Sequence, residues 1–134
     1  MRIGAARRVA WGLLVFAVVL AGAALVLSAL NGERGDLLSG TLFTSTFLAF
    51  ALTGSLVASR RPDNSIGWLL LGTALGLGIA LVSTQYATYV IQTDPGALPG
   101  GVWAAWVSSW VWVAAIGPMV TFLLLLFPDG RGRR

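Results

Sequence analysis

The sequence predicts an all-α membrane protein, with four transmembrane helices in an up-down-up-down bundle and both termini cytoplasmic. Three observations carry this. The 134 residues are 57% hydrophobic and 10% charged, with a mean hydropathy of +0.83, whereas soluble domains carry roughly 25% charged residues. The apolar residues fall into four runs, and ~20 residues at ~1.5 Å each suffice to cross a hydrocarbon core. All nine basic residues are arginines. Arg2, Arg7 and Arg8 precede the first run, Arg60 and Arg61 separate the second from the third, and Arg131, Arg133 and Arg134 follow the fourth. Only Arg34 falls in a connection of the other parity. Cationic residues beside spans stay on the cytoplasmic side during insertion, so the distribution orients the chain.

The first span, about 9–30, is too long for the hydrophobic region of a signal peptide and reads as retained. Asn31-Gly32 opens a tight turn. The second span, about 37–58, is softened by Thr41, Thr44, Ser45, Thr46, Thr53 and Ser55. In lipid such hydroxyls bond back one turn or reach a neighbouring helix. Pro62 stops this helix, and Asp63, Asn64 or Ser65 suits the cap of the next. The third span, about 66–91, is longer than a bilayer requires and must tilt, bend or emerge. Asp94-Pro95-Gly96 and Pro99-Gly100-Gly101 make an irregular connection. The fourth span, about 102–127, runs into Pro128-Asp129-Gly130-Arg131, and residues 128–134 begin a cytoplasmic linker. The whole of 1–134 is read as one membrane domain.

Glu33, Asp36, Asp63, Asp94 and Asp129 are the only acidic residues, and all lie in connections. Proton relays, coupled antiport and voltage sensing use charge within the membrane, so transport is disfavoured. Histidine and cysteine are absent. No enzyme activity, catalytic residue, cofactor or metal site is therefore expected. A net charge of +4 in arginines that flank spans points to the anionic cytoplasmic leaflet as partner, not to nucleic acid. Arginine without lysine, beside abundant Ala, Gly, Leu and Val, suggests a bacterial cytoplasmic membrane.

Gly72, Gly76 and Ala80 recur at four-residue spacing, and a stripe of small residues lets backbones approach closely in lipid. It serves packing within the bundle or a homodimer. Ala104, Ala105, Ser108 and Ser109 offer a second small face with the same two readings. Trp11, Trp68, Trp103 and Trp106 sit near span ends, where indoles favour the headgroup level. Trp103, Trp106 and Trp110 share a face, and with Gln85, Tyr86 and Tyr89 they are candidates for an exterior-side pocket. An interfacial belt is the plainer reading. Pro118 after Gly117 removes a backbone bond and kinks the last span, passively or as a hinge.

Ser59-Arg60-Arg61-Pro62-x-Asn64-x-Ile66-Gly67-Trp68-Leu69-Leu70 forms one connected pattern. Pro95-Gly96-x-Leu98-Pro99-Gly100-Gly101 leading to Ala104-Ala105-Trp106-x-x-Ser109-Trp110 forms a second, and Leu123 to Leu126 running into Phe127-Pro128-Asp129-Gly130-Arg131 a third. In order and spacing these resemble the N-terminal membrane region of a group of bacterial sensor histidine kinases, over roughly residues 50–131. Residue 65 is serine where that group commonly has proline. The resemblance implies a membrane signal-input module that passes a change in helix packing to a cytoplasmic output domain. Kinases of that group continue into a histidine-bearing hairpin and an ATP-binding domain, which these residues lack. The expectation is an input region cut from a longer gene or acting beside a separate output protein. An accessory membrane protein packed in a larger complex is the alternative, and a small transporter or channel comes third.

Overall fold

The computed structural model describes residues 3–32 and 37–126. Arg2, Arg34, Arg131, Arg133 and Arg134, with the Pro128-Asp129-Gly130 turn, lie outside the described residues. The chain forms α1 (Ile3–Leu30), α2 (Leu37–Arg60), α3 (Ser65–Thr88) and α4 (Gly101–Leu126). A π-helical turn, Tyr89–Thr93, continues α3. No strand occurs among the described residues. All four helices are long and apolar enough to cross a membrane, as in a multi-pass membrane protein.

The helices are not bounded by the uncharged runs. α1 starts at Ile3 and takes in Arg7 and Arg8, because arginine is a good helix former whose aliphatic stem can lie along an apolar surface. α3 is capped by Asn64, whose side-chain oxygen accepts the Ile66 N–H at 3.0 Å. The surplus length of the third span is absorbed where α-helix gives way to the π turn. There the Asp94 N–H donates to the Tyr89 carbonyl five residues back, at 2.9 Å. Gly96 and Gly100 then adopt positive φ of 85° and 86°, which turns the chain back toward α4.

Packing is built on small residues. The buried face of α1 consists of Ala6, Ala10, Ala17, Ala21 and Ala24. Ala17 and Ala21 meet Phe47 and Ala51 of α2 and Leu71 and Ala74 of α3 in the central cluster. Lipid tails are as apolar as leucine, so expulsion from water does not hold these helices together. Close backbone approach and interhelical hydrogen bonds do. The closest approaches to neighbouring backbone at a helical glycine join α2 and α3. A Cβ on Gly54 would stand 2.7 Å from the Leu71 nitrogen and 2.9 Å from the Gly67 oxygen. One on Gly67 would stand 2.7 Å from the Ala58 nitrogen. Ser55, fully buried, donates its hydroxyl to the Ala10 carbonyl of α1 at 3.2 Å.

These contacts fix an antiparallel register between successive helices, with Ser55 beside Ala10, Gly54 beside Leu71 and Gly101 beside Val90. α3 packs against α1, α2 and α4. α4 lies on α3, and an 18-residue stretch of it contains no buried residue. The molecule is thus a three-helix cluster with α4 laid along its third member.

Candidate functional site

Two places on α3 bring polar groups together between otherwise apolar helices. The first is a cavity of about 300 Å³ lined by residues of α1, α2 and α3. Ser28, Ser39, Thr44 and Gln85 line it, with Phe43 and Leu81 supplying apolar wall. Thr44 is 5% exposed, and its hydroxyl makes no hydrogen bond among the described residues. No described side-chain oxygen is both buried and without a partner, so the Thr44 hydroxyl is accessible from the cavity and stands there as a donor and acceptor. Its α2 neighbours Ser45 and Thr46 spend their hydroxyls on the Thr41 and Leu42 carbonyls one turn back, at 2.7 and 2.8 Å.

The cavity is tied off by a polar network. Asn31, just past α1, donates its amide to the Gln85 side-chain oxygen at 2.8 Å and to the Gln85 carbonyl at 3.0 Å. Thr93, at the end of the π turn, donates to the Asn31 oxygen at 2.7 Å. Among the described residues no Asp, Glu, Arg or Lys lines this space. Among the described residues no three His, Cys, Asp or Glu side chains gather to hold a metal ion. Such a cavity accepts a neutral, largely apolar molecule with a hydrogen-bonding group.

The second place is the seam between α3 and α4. The Thr73 hydroxyl donates to the Ala115 carbonyl at 3.1 Å, three residues before Pro118. Proline supplies no N–H to the Ala114 carbonyl, and membrane helices tolerate this where hydroxyls of a neighbour share the freed backbone groups. α4 runs through Pro118 as one helix. A cavity of about 280 Å³ opens beside it, lined by Gly72, Thr73, Ala114 and Pro118 among others.

The structure separates the small-residue stripe. Gly76 sits directly against Ala115, and a Cβ there would collide with the Ala115 methyl. Gly72 has nothing within 4 Å of its Cβ position and faces the cavity. Ala80 is half-buried, and its carbonyl accepts the Thr84 hydroxyl at 2.9 Å. Ala104, Ala105 and Ser108 are partly covered while Ser109 is exposed. Gly117 has open space around it.

The six residues proposed for an exterior-side pocket are divided among different tasks. Gln85 turns to Asn31, and Tyr86 donates its hydroxyl to the Pro99 carbonyl at 2.7 Å. Tyr89 begins the π turn. Trp103, Trp106 and Trp110 form an edge-to-face ladder, with centroids 6.2 and 5.3 Å apart. At 72%, 55% and 43% exposure these rings face away from the bundle. The cavity that Gln85 does line is completed by α1 and α2. The sequence reading missed that cavity and the Gly54–Gly67 approach. Ala51, Gly54, Ser55 and Ala58, a small-residue face on α2, were the available signal.

Toward the opposite end, Trp68 donates its indole N–H to the Pro62 carbonyl at 3.0 Å and pins the turn between α2 and α3. The Arg61 N–H bonds the Val57 carbonyl at 2.8 Å, and the Asn64 N–H bonds the Arg61 carbonyl at 3.0 Å. Ile3, Arg60, Arg61, Asp63 and Asn64 surround a cleft of about 560 Å³ there. Compared with known proteins, the chain matches no protein family, no curated protein and no solved structure.

Proposed function

We propose that the protein is a signal-input module of a bacterial cytoplasmic membrane, with the end that carries Arg7, Arg8, Arg60 and Arg61 facing the cytoplasm. One observation supports this most. α3 alone packs against each of the other helices, lines the Thr44 cavity near one end and holds α4 through Thr73 and Gly76 lower down. A neutral molecule entering that cavity would compete for Gln85 and Thr44, shift α3, and change how α4 rests on it. The void at Gly72 and Pro118 leaves room for α4 to rock. The output is a cytoplasmic partner protein, or a second copy of the chain bearing such a partner. The resemblance to sensor kinase membrane regions supports the same reading, and no catalytic role is proposed for these residues.

The test is deletion of the gene in its native host, with response-regulator phosphorylation compared in parent, deletion and complemented strains. A changed phosphorylation pattern, restored by the wild-type protein, is expected. An unchanged pattern sinks the signalling reading.

The exposed outer face of α4, with Trp103, Trp106, Trp110 and Trp112, favours a second reading: an accessory protein whose α4 packs in a larger membrane complex. Co-purification of stoichiometric partners, with no change in phosphorylation on deletion, would establish it. A transporter or channel is third, because the charged residues described in α1 and α2 stand near their ends.

A further inference from the structure

The turn between α2 and α3 is more rigid than a solvent-exposed connection needs to be. The Asn64 cap, the Arg61 and Asn64 backbone bonds and the Trp68–Pro62 bond hold its four residues in one arrangement. Against it stands the first residue of α1, Ile3, and between them opens the cleft of about 560 Å³. Arg60 and Arg61 line it, and neither guanidinium makes a hydrogen bond or ion pair among the described residues. The side-chain oxygen of Asn64 is occupied by the Ile66 N–H, so its NH₂ remains as a further donor. Among the described residues that line it, Asp63 is the single acid against two cations, which gives this lining a net positive charge. Ile3, 69% exposed, gives it an apolar edge.

From these features we infer that the cleft is a binding site for a phosphate group, held by Arg60 and Arg61 with Asn64 beside them. Guanidinium offers a planar fork that pairs with two phosphate oxygens at once. The cleft lies at the ends of α1, α2 and α3, the level at which a bilayer places its headgroups. Basic pockets between helix ends at that level suit anionic lipids. The ligand is therefore an anionic phospholipid headgroup, whose glycerol and chains pass the Ile3 edge, or else a free phosphate with the same chemistry. General attraction of arginines to an anionic surface depends only on charge. A site depends on the fork as well.

The experiment uses that difference. The full chain in neutral detergent is titrated with phosphatidylglycerol or phosphatidylcholine, and bound lipid is counted by native mass spectrometry. One phosphatidylglycerol is expected to be retained in preference to phosphatidylcholine. Arg60→Gln with Arg61→Gln should weaken it roughly a hundredfold, the scale of two charge-assisted hydrogen bonds. Arg60→Lys with Arg61→Lys keeps both charges and should still weaken it about tenfold. Arg7→Gln with Arg8→Gln alters the same end of the molecule and should cost less than the lysine pair. Circular dichroism checks that each variant keeps its helix content. Inorganic phosphate added as competitor separates the sources: displacement assigns the site to the free ion, and retention assigns it to the headgroup. Wild-type binding by the lysine variant, or equal retention of the two lipids, overturns the inference.

Discussion

Three glycines on α3 that look alike in sequence have different surroundings. Gly67 is pressed against the α2 backbone, Gly76 against the Ala115 side chain, and Gly72 against nothing. Gly67→Ala puts a methyl 2.7 Å from a backbone nitrogen that cannot rotate away, so overpacking of about 1–3 kcal/mol is expected. Gly72→Ala meets no atom within 4 Å, and alanine's higher helix propensity should make it neutral or stabilising by up to ~1 kcal/mol. Unfolding in a graded denaturing-detergent titration separates the two. Equal behaviour would mean that the α2–α3 approach is looser than described. Thr44→Val, which keeps the shape and removes the hydroxyl, should leave stability nearly unchanged because no protein bond is lost. A loss above ~1 kcal/mol in the same titration would show that the hydroxyl already has a partner.

At the scale of the element, α4 is the helix with least to hold it. Its Pro118 forgoes one backbone bond, and Thr73 on α3 lends a hydroxyl to the Ala115 carbonyl nearby. Pro118→Ala restores the N–H to the Ala114 carbonyl, and amide exchange in residues 119–122 should slow. If exchange is unchanged, the proline is not what loosens α4. In the deletion strain described above, the same variant should fail to restore the phosphorylation pattern if α4 moves at this point. Full restoration would remove the hinge while leaving the fold intact. Thr73→Val should cost ~0.6–1 kcal/mol, typical of interhelical hydroxyl bonds in membranes. That cost should differ when Pro118 is also replaced, since both changes act on the same turn of α4.

For the molecule as a whole, the absence of cysteine from the sequence makes topology directly measurable. Single cysteines at Asp63 and Ala97 lie in connections on opposite sides of α3. In intact cells a membrane-impermeant maleimide should label the Ala97 variant, and the Asp63 variant only after lysis. The reverse pattern would invert the orientation, and labelling of both in intact cells would undo the assignment of α3 as a span. Hydrogen exchange in lipid should rank α4 as the least protected helix, because its stretch of unburied residues contrasts with the alanine-faced contacts of α1, α2 and α3.

Helix number, approximate position and the cap region before α3 were legible in the sequence. They follow from local properties: apolar length, proline and glycine breaks, and the Asp63-Asn64-Ser65 choice that Asn64 resolved. The candidate sites were not. In a soluble helix a polar face marks what is turned outward, but in lipid both faces are apolar and periodicity loses that information. Gln85 therefore looked as suited to the tryptophans of α4 as to Asn31 of α1, and Gly72 looked as tightly packed as Gly76. The sequence by itself determined four apolar helices, their limits to within a turn or two, and the charge difference between their two ends. Only the tertiary structure decided that α3 is central, that Gly54 and Gly67 set its distance from α2, and that Thr44 and Gln85 share a cavity. Those outcomes depend on which backbones approach most closely, a property of pairs of helices that no single stretch of sequence records.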